Sequence, residues 1–344
     1  MTPMCCTMTS KMTKKILLIT DAWTPQINGV VTTLTNIVAR LEKQGHTVNV
    51  FSPDKCPVRF PLPGYSEIVL GLPRPTQVAH HIDLFRPDHV HISTPEGPLG
   101  QIFRMALDRR GINYTTAYHT KFPEFVNAKF NWVPVSVGHR FMKRINRRSK
   151  SILVPTQSMV AELHSQGYGN TKLWSRGYDT DLFRPDHKPR PEKTFVCVSR
   201  VSVEKNLEDF FSLELPGRKV MVGDGPQRKA YEKRYPDVEF VGAKSGKELA
   251  RFYQKADVFV FPSRTDTFGV VMLESIACGT PVAAYDVTGP RDVIKNGVNG
   301  YLGDDLKKNA LLCLDLNRQT VHDSSKIHTW EKATKDFFET LVEA

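Results

Sequence analysis

DVFVFPSRTDTFGVVMLESIACGTPVAAYD, residues 257–286, is the stretch that decides the fold. It opens on an apolar run of strand length, Asp257 to Ser263, and closes on another, Pro281 to Asp286. Between them a segment of helical length begins near Gly269 and runs through Glu274 to Cys278 and Gly279, where the glycine suits a helix stop. Neither strand run alternates polar with apolar residues, the pattern of strands covered on both faces of a parallel sheet.

The same unit recurs on either side. The first half offers strand-length runs at 15–20, 47–52, 67–72, 89–94, 113–119 and 151–156. The second half has them at 194–199, 219–223 and 238–242, ahead of the opening stretch. Val30, Val31, Leu34, Ile37, Val38 and Leu41 form one stripe at helical spacing, closed by Gly45. FRPDHKPRPEK, residues 183–193, is too dense in proline and charge to sit in a sheet. The pattern predicts an α/β protein of two tandem Rossmann-like, doubly wound domains with a cleft between them. The expected boundaries are a loose tail (1–13), a first domain (14–180), a linker (181–193) and a second domain (194–325). A closing helix (326–344) is expected to cross back to the first domain.

At 344 residues, 40% apolar and 24% charged, the chain has the composition of a globular protein. No apolar run nears the ~18 residues that a membrane span needs, and the N-terminal stretch lacks the apolar core of a signal peptide. A cytoplasmic location is expected, peripheral at a membrane. Cysteines at 5, 6, 56, 197, 278 and 313 show no metal-ligand spacing and read as reduced thiols. Lys and Arg exceed Asp and Glu by 47 to 36, a net charge of +11 that favours anionic partners. HRFMKRINRRSK, residues 139–150, holds six of those cations and no acid.

In doubly wound sheets, ligands bind past the carboxyl ends of strands. The loop from Ser263 to Phe268 leaves such an end. The first N–H groups of the following helix lack partners, and its dipole is positive there, which suits phosphate. Gly269, between Phe268 and Val270, lets an anion approach the backbone. At ~1.5 Å per helical residue, Asp266 and Glu274 lie roughly 10 Å apart along the element, the scale of a nucleoside diphosphate sugar. Asp266 then accepts from a sugar hydroxyl, the helix start holds the diphosphate, and Glu274 accepts from ribose. Arg200 and Lys205 follow another strand end. A guanidinium fork and a point charge match a diphosphate leaving group. Gly29 opens the first helix, and its N–H is placed to meet phosphate from across the cleft. Glu96, which follows a strand end, and Lys121 are candidate acceptor or sugar contacts, and Lys121 and Arg291 are candidate cleft cations.

These residues carry a resemblance. The segment 266–274 is similar to the E-x7-E motif of retaining glycosyltransferases with the GT-B fold, glycosyltransferase family 4 in particular. Asn28-Gly29-Val30 resembles the family's Gly-Gly-Val loop, and residues 175–185 its interdomain segment. Arg200 and Lys205 resemble its phosphate-facing pair, and Gly223-Asp224-Gly225-Pro226 and residues 277–282 are also similar. Two positions depart from the pattern. Asp266 is one methylene shorter than the usual Glu, and Asn28 replaces a glycine while tolerating left-handed backbone.

The resemblance implies retaining, front-face transfer of a sugar from a UDP- or GDP-linked donor, without a metal, in which the leaving phosphate helps deprotonate the acceptor hydroxyl. It places His119 near the donor sugar, beside Asp266, Arg200 and Lys205 as the catalytic set. It also implies that the basic run docks on an anionic membrane, with a lipid or lipid-linked glycan as acceptor in glycolipid or polysaccharide biosynthesis. Two alternatives stand beside it: transfer to hydroxylated bases of nucleic acid, and a nucleotide-sugar-binding protein of weak catalysis. Asp179-Thr180-Asp181 falls in the interdomain segment rather than in a metal-binding context. Neither glycine-rich loop completes the dinucleotide G-x-G-x-x-G pattern.

Overall fold

The computed structural model describes residues 13–26, 28–62, 65–130, 132–185 and 192–344. Residues 1–12 of the expected tail, Cys5 and Cys6 among them, and residues 186–191 of the expected linker lie outside the described residues. In the first half the order is β1 (Lys15–Ile19), α1 (Gly29–Lys43), β2 (Thr47–Phe51), β3 (Val58–Leu62), β4 (Tyr65–Leu72), α2 (Pro75–Phe85), β5 (His89–Ile92), α3 (Pro98–Arg110), β6 (Thr115–Ala117), α4 (Phe122–Lys129), α5 (Val135–Asn146), β7 (Ile152–Val154), α6 (Gln157–Ser165) and β8 (Thr171–Leu173). The second half runs β9 (Thr194–Val198), α7 (Leu207–Phe211), β10 (Arg218–Val222), α8 (Arg228–Arg234), β11 (Val238–Gly242), α9 (Gly246–Lys255), β12 (Val258–Phe261), α10 (Val270–Ala277), β13 (Val282–Ala284), α11 (Pro290–Val293), β14 (Gly300–Leu302), α12 (Leu306–Cys313), α13 (Arg318–Ser325) and α14 (Trp330–Thr340).

The strands form two six-stranded parallel sheets, ordered β2-β1-β5-β6-β7-β8 and β11-β10-β9-β12-β13-β14. Strand order reverses between β1 and β5 and again between β9 and β12. Crevices beyond the carboxyl ends at such points are where ligands bind. The two carboxyl edges meet: Thr267 Oγ1 donates to the His119 carbonyl at 2.6 Å, and Thr156 Oγ1 lies 3.5 Å from the Thr267 carbonyl.

Burial explains the unbroken apolar runs. Ile16 and Leu18 of β1 pack into one cluster with α1 and α14, and Leu17 and Ile19 into another with α2 and α3. β9 divides likewise, with Val196 and Val198 on one face and Phe195 and Cys197 on the other. Cys56, Cys197, Cys278 and Cys313 are buried and free.

One strand expected in the first parallel sheet is elsewhere. The run 67–72 lies in β4, which pairs antiparallel with β3 as a separate ribbon. β3 ends at Leu62 and β4 begins at Tyr65, far too close for the crossover that a parallel pair requires. β3 itself was hidden by Pro61, a residue that strands accept at an edge. β8 and β14, three residues each, were also unforeseen.

Helix α14 packs on the first sheet. Trp330, Ala333 and Phe337 join Ile16, Leu18, Leu34 and Ile37, and Arg40 pairs with Glu331 at 3.1 Å. Where the chain crosses, a Cβ at Gly177 would sit 2.4 Å from the Trp330 nitrogen, so the crossing demands glycine.

Candidate active site

Strand β12 is buried throughout and delivers the chain into the loop Pro262 to Phe268. Gly269 then adopts φ +79°, a left-handed geometry that favours glycine, and a Cβ there would meet Met272 Cε at 2.8 Å. Helix α10 starts immediately after it, and no side chain caps its N-terminus. Across the cleft, α1 begins at Gly29. A Cβ on Gly29 would come within 3.8 Å of Val270 Cγ2, so the two helix starts face each other.

They are not equivalent. Asn28 is extended, at φ −160°, and its Oδ1 accepts from both Val30 N and Val31 N at 3.0 Å. The tolerance of Asn28 for left-handed backbone is not called on, because its side chain acts as an N-cap on extended backbone. It fills the position that an anion would take over Val30 and Val31.

Lys205 closes a single 3-10 turn (Val203–Lys205) after β9, and its Nζ reaches both oxygens of Asp266 at 2.7 and 2.9 Å. Burial alone would raise the Asp266 carboxyl. The charge and hydrogen bonds of Lys205 outweigh it and hold the group below the usual carboxylate range. Arg200 donates to Glu204 at 2.9 Å, and Ser202 Oγ donates to the same carboxylate at 2.7 Å. Both expected phosphate cations therefore stand paired with acids. Asp266 holds Lys205 in place instead of projecting toward a sugar.

Glu274 differs from Asp266. It is 9% exposed, accepts from the Tyr253 hydroxyl of α9 at 3.1 Å, and burial pushes its carboxyl up to about 7. Phe268 is buried in the same cluster as Met272 and Phe261.

His119 sits at the carboxyl end of β6 as expected, but its ring is committed to the protein. Arg176 donates to Nδ1 at 3.1 Å and Ser93 Oγ lies 2.7 Å from Nε2. A guanidinium only donates, so Nδ1 must accept and the ring proton sits on Nε2, pointing at Ser93. Burial and then Arg176 drive the imidazole pKa well below its ordinary value, so the ring is neutral. Neither nitrogen is left for a sugar in this arrangement; the carbonyl of His119, bonded to Thr267, is what faces the second domain.

Lys121 is tied to Glu162 at 2.8 Å, and Thr288 Oγ1 from the second domain donates to the same carboxylate at 2.8 Å. Ser158 N donates to Asp292 of α11 at 2.9 Å. Lys121 thus belongs to an interdomain network rather than projecting as a contact for an acceptor. Arg291 pairs with Asp286 at 2.7 Å on the exposed surface. Glu96 is half-buried; burial, then nearby Asp21, raises its carboxyl to about 7.

Three residues escaped the sequence reasoning. Asp21 is buried past β1, with its carboxyl raised to about 7 by burial, and accepts from Gly71 N at 3.1 Å. Its position two residues beyond a strand end was a usable signal. Arg176 is 4% exposed, stacks 4.4 Å over Trp174 and has no carboxylate partner among the described residues. Glu162 sits on an ordinary helix face. Nothing local distinguishes the last two.

The basic run is not one surface. His139 is buried, with Tyr168 Oη 3.2 Å from its Nδ1. The start of α5 packs through Gly138 against Pro123, close to the cleft, while Arg147 to Lys150 lead into the amino end of β7, the opposite edge. Asp179 Oδ1 accepts from the Asp181 and Leu182 amides, forming a local turn.

Two family models match this chain: Glycosyltransferase Family 4 over residues 27–182 and Glycosyl transferases group 1 over residues 179–335. A GDP-mannose-dependent alpha-mannosyltransferase of Mycobacterium tuberculosis is 28% identical over 316 residues, covering 84% of this chain and 83% of the relative. An alpha-monoglucosyldiacylglycerol synthase of Streptococcus pneumoniae is 26% identical over 364 residues, covering 90% and 81%. Among solved structures, sucrose-phosphate synthase from Thermosynechococcus elongatus superposes with a TM-score of 0.76 at 18% identity, over 95% of this chain and 98% of that one. The Anabaena protein HepE, solved with UDP and glucose, gives 0.69 at 16% identity, over 95% and 99%.

Proposed function

The chain belongs to the GT-B glycosyltransferases of the family 4 type, and on that premise we propose that it transfers a sugar from a GDP- or UDP-linked donor to a hydroxyl of a lipid or lipid-linked glycan, with retention. The observation that carries the reading is the open start of α10, flanked by Lys205 and Arg200 at the second sheet's switch point. Those groups offset charge as it develops on the departing diphosphate, so no divalent ion is required. The bond from the anomeric carbon to phosphate breaks, and the acceptor oxygen attacks on the same face. Its proton passes to the leaving phosphate oxygen. The mannosyltransferase relatives favour GDP as the donor nucleotide, and the glycolipid synthase relative favours a lipid acceptor.

The cleft end of α5 supports a membrane-borne acceptor. Trp132 is 81% exposed, Val137 46% and Phe141 38%, close to the exposed Arg140. Apolar insertion beside cations, each contributing about 1 kcal/mol near an anionic surface, suits peripheral binding. No helix of the described residues is long and apolar enough to cross a membrane. Purified protein should hydrolyse or transfer from a GDP- or UDP-hexose in the presence of EDTA, and should float with phosphatidylglycerol but not phosphatidylcholine vesicles. Inertness toward every such donor would overturn the reading. Loss of activity in EDTA would overturn metal independence alone, and activity without flotation would remove the lipid acceptor alone.

A further inference from the structure

The far end of the first sheet carries a second concave surface. A groove of about 950 Å³ opens there, lined by Arg104 and Asp108 of α3, by Lys143, Arg144, Arg147 and Arg148 around the end of α5, and by the turn before β8. Its floor includes Ile152, the first residue of β7. The groove therefore lies at the amino ends of these strands, whereas the cleft lies at their carboxyl ends. At ~3.3 Å per residue, a three-residue strand separates the two by about 10 Å.

Its charge is lopsided. Asp108 is the acid among the lining residues, and its carboxylate is already taken by Arg104 at 3.0 Å and by the Tyr114 hydroxyl at 3.0 Å, with Arg148 at 4.0 Å. Lys143 Nζ donates to the Gln166 carbonyl at 3.0 Å, which leaves its charge unmatched. Arg144 and Arg147 have no acid partner among the described residues. Arg104 Nε is buried with no acceptor. Guanidinium forks pair with phosphate oxygens two at a time, and the volume is that of a site for a nucleotide-sized molecule.

We propose that this groove binds a multiply charged phosphate anion of nucleotide size, at a site separate from the cleft. The exposed Trp132 and Val137 lie before and within the first turn of α5, away from the groove at its end, so the groove fits a soluble polyphosphate better than a bilayer. The proposal does not rest on the transferase chemistry.

Inorganic tripolyphosphate, titrated calorimetrically into the full chain carrying Lys205→Ala to weaken the cleft, is the probe. Arg144→Glu with Arg147→Glu should weaken its binding at least tenfold. Lys150→Glu with Lys233→Glu makes the same charge change on exposed residues outside the groove and should leave binding within twofold. Undiminished binding in the first pair, or equal weakening in both, overturns the site. Flotation with phosphatidylglycerol vesicles separates the sources of phosphate. Dependence of tripolyphosphate binding alone on Arg144 and Arg147 supports the soluble ligand. Loss of flotation in the same pair also supports the anion site, with a lipid headgroup as its occupant.

Discussion

The starts of α1 and α10 face each other across the cleft, follow strands of similar burial and both begin beside glycine. Only one is open. Asn28 turns its amide onto α1 and satisfies Val30 and Val31, while α10 has no side-chain cap and looks toward Lys205 and Arg200. The difference teaches that a helix N-terminus attracts anions only when its own chain has not already supplied an acceptor. In this protein the α10 side holds the charge and the α1 side supplies shape.

Removing charge at the open end should have the largest effect. Lys205→Ala should lower kcat/KM by about 10²–10³ with donor, the usual consequence of losing one preorganised donor at a developing anion. If kcat/KM falls no more than it does for Asn28→Ala, the two ends are equivalent and the asymmetry is illusory.

Glu274 tests the other side of α10. Its carboxyl is raised to about 7, so the native state holds a proton that the unfolded chain has released. Its stability contribution is present below about pH 4.5, falls as pH rises toward 7, and above that a buried charge must be carried. Glu274→Gln should therefore raise Tm at pH 8 by on the order of 5 °C, with little change at pH 5. At pH 8, where the carboxyl is ionised, donor KM should rise by about tenfold, because a neutral amide accepts hydroxyls less strongly than a carboxylate. A Tm gain that is the same at both pH values would contradict the buried-charge account.

Asn28→Asp sharpens the comparison at the capped end. Asp caps as well as Asn, so Tm should stay within about 1 °C. A negative charge facing the diphosphate should still raise donor KM several-fold. Unaltered donor KM would place the phosphates beyond reach of α1.

The smallest effect is expected from Asp266→Glu. The extra methylene should keep the Lys205 pair and alter the ratio of kcat/KM between hexose donors by only a few-fold, read by competing two donors in one assay. A collapse of activity would mean that Asp266 does more than hold Lys205.

Much of this was legible in the chain. Strands with both faces buried announce themselves as unbroken apolar runs, and the α1 stripe from Val31 to Leu41 is buried at the positions its spacing predicts. The cap at Asn28 is also legible, since Asn ahead of an apolar helical stripe is an N-terminus signature. β4 was misplaced because an apolar run reveals burial but not which neighbour it pairs with. His119 was visible as a residue at a strand end, yet its ring is held by Arg176, 57 positions away, and by Ser93, 26 positions away.

The central strands of the two sheets and the loop that opens α10 were determined by the sequence alone, because periodicity, turn residues and strand-end position are local properties. Which carboxylate meets Lys205, which ring nitrogen of His119 bears its proton, and where the charges of α5 gather were decided only by the tertiary structure. Those outcomes depend on distances between residues far apart in the chain, and on burial that no single segment can report for itself.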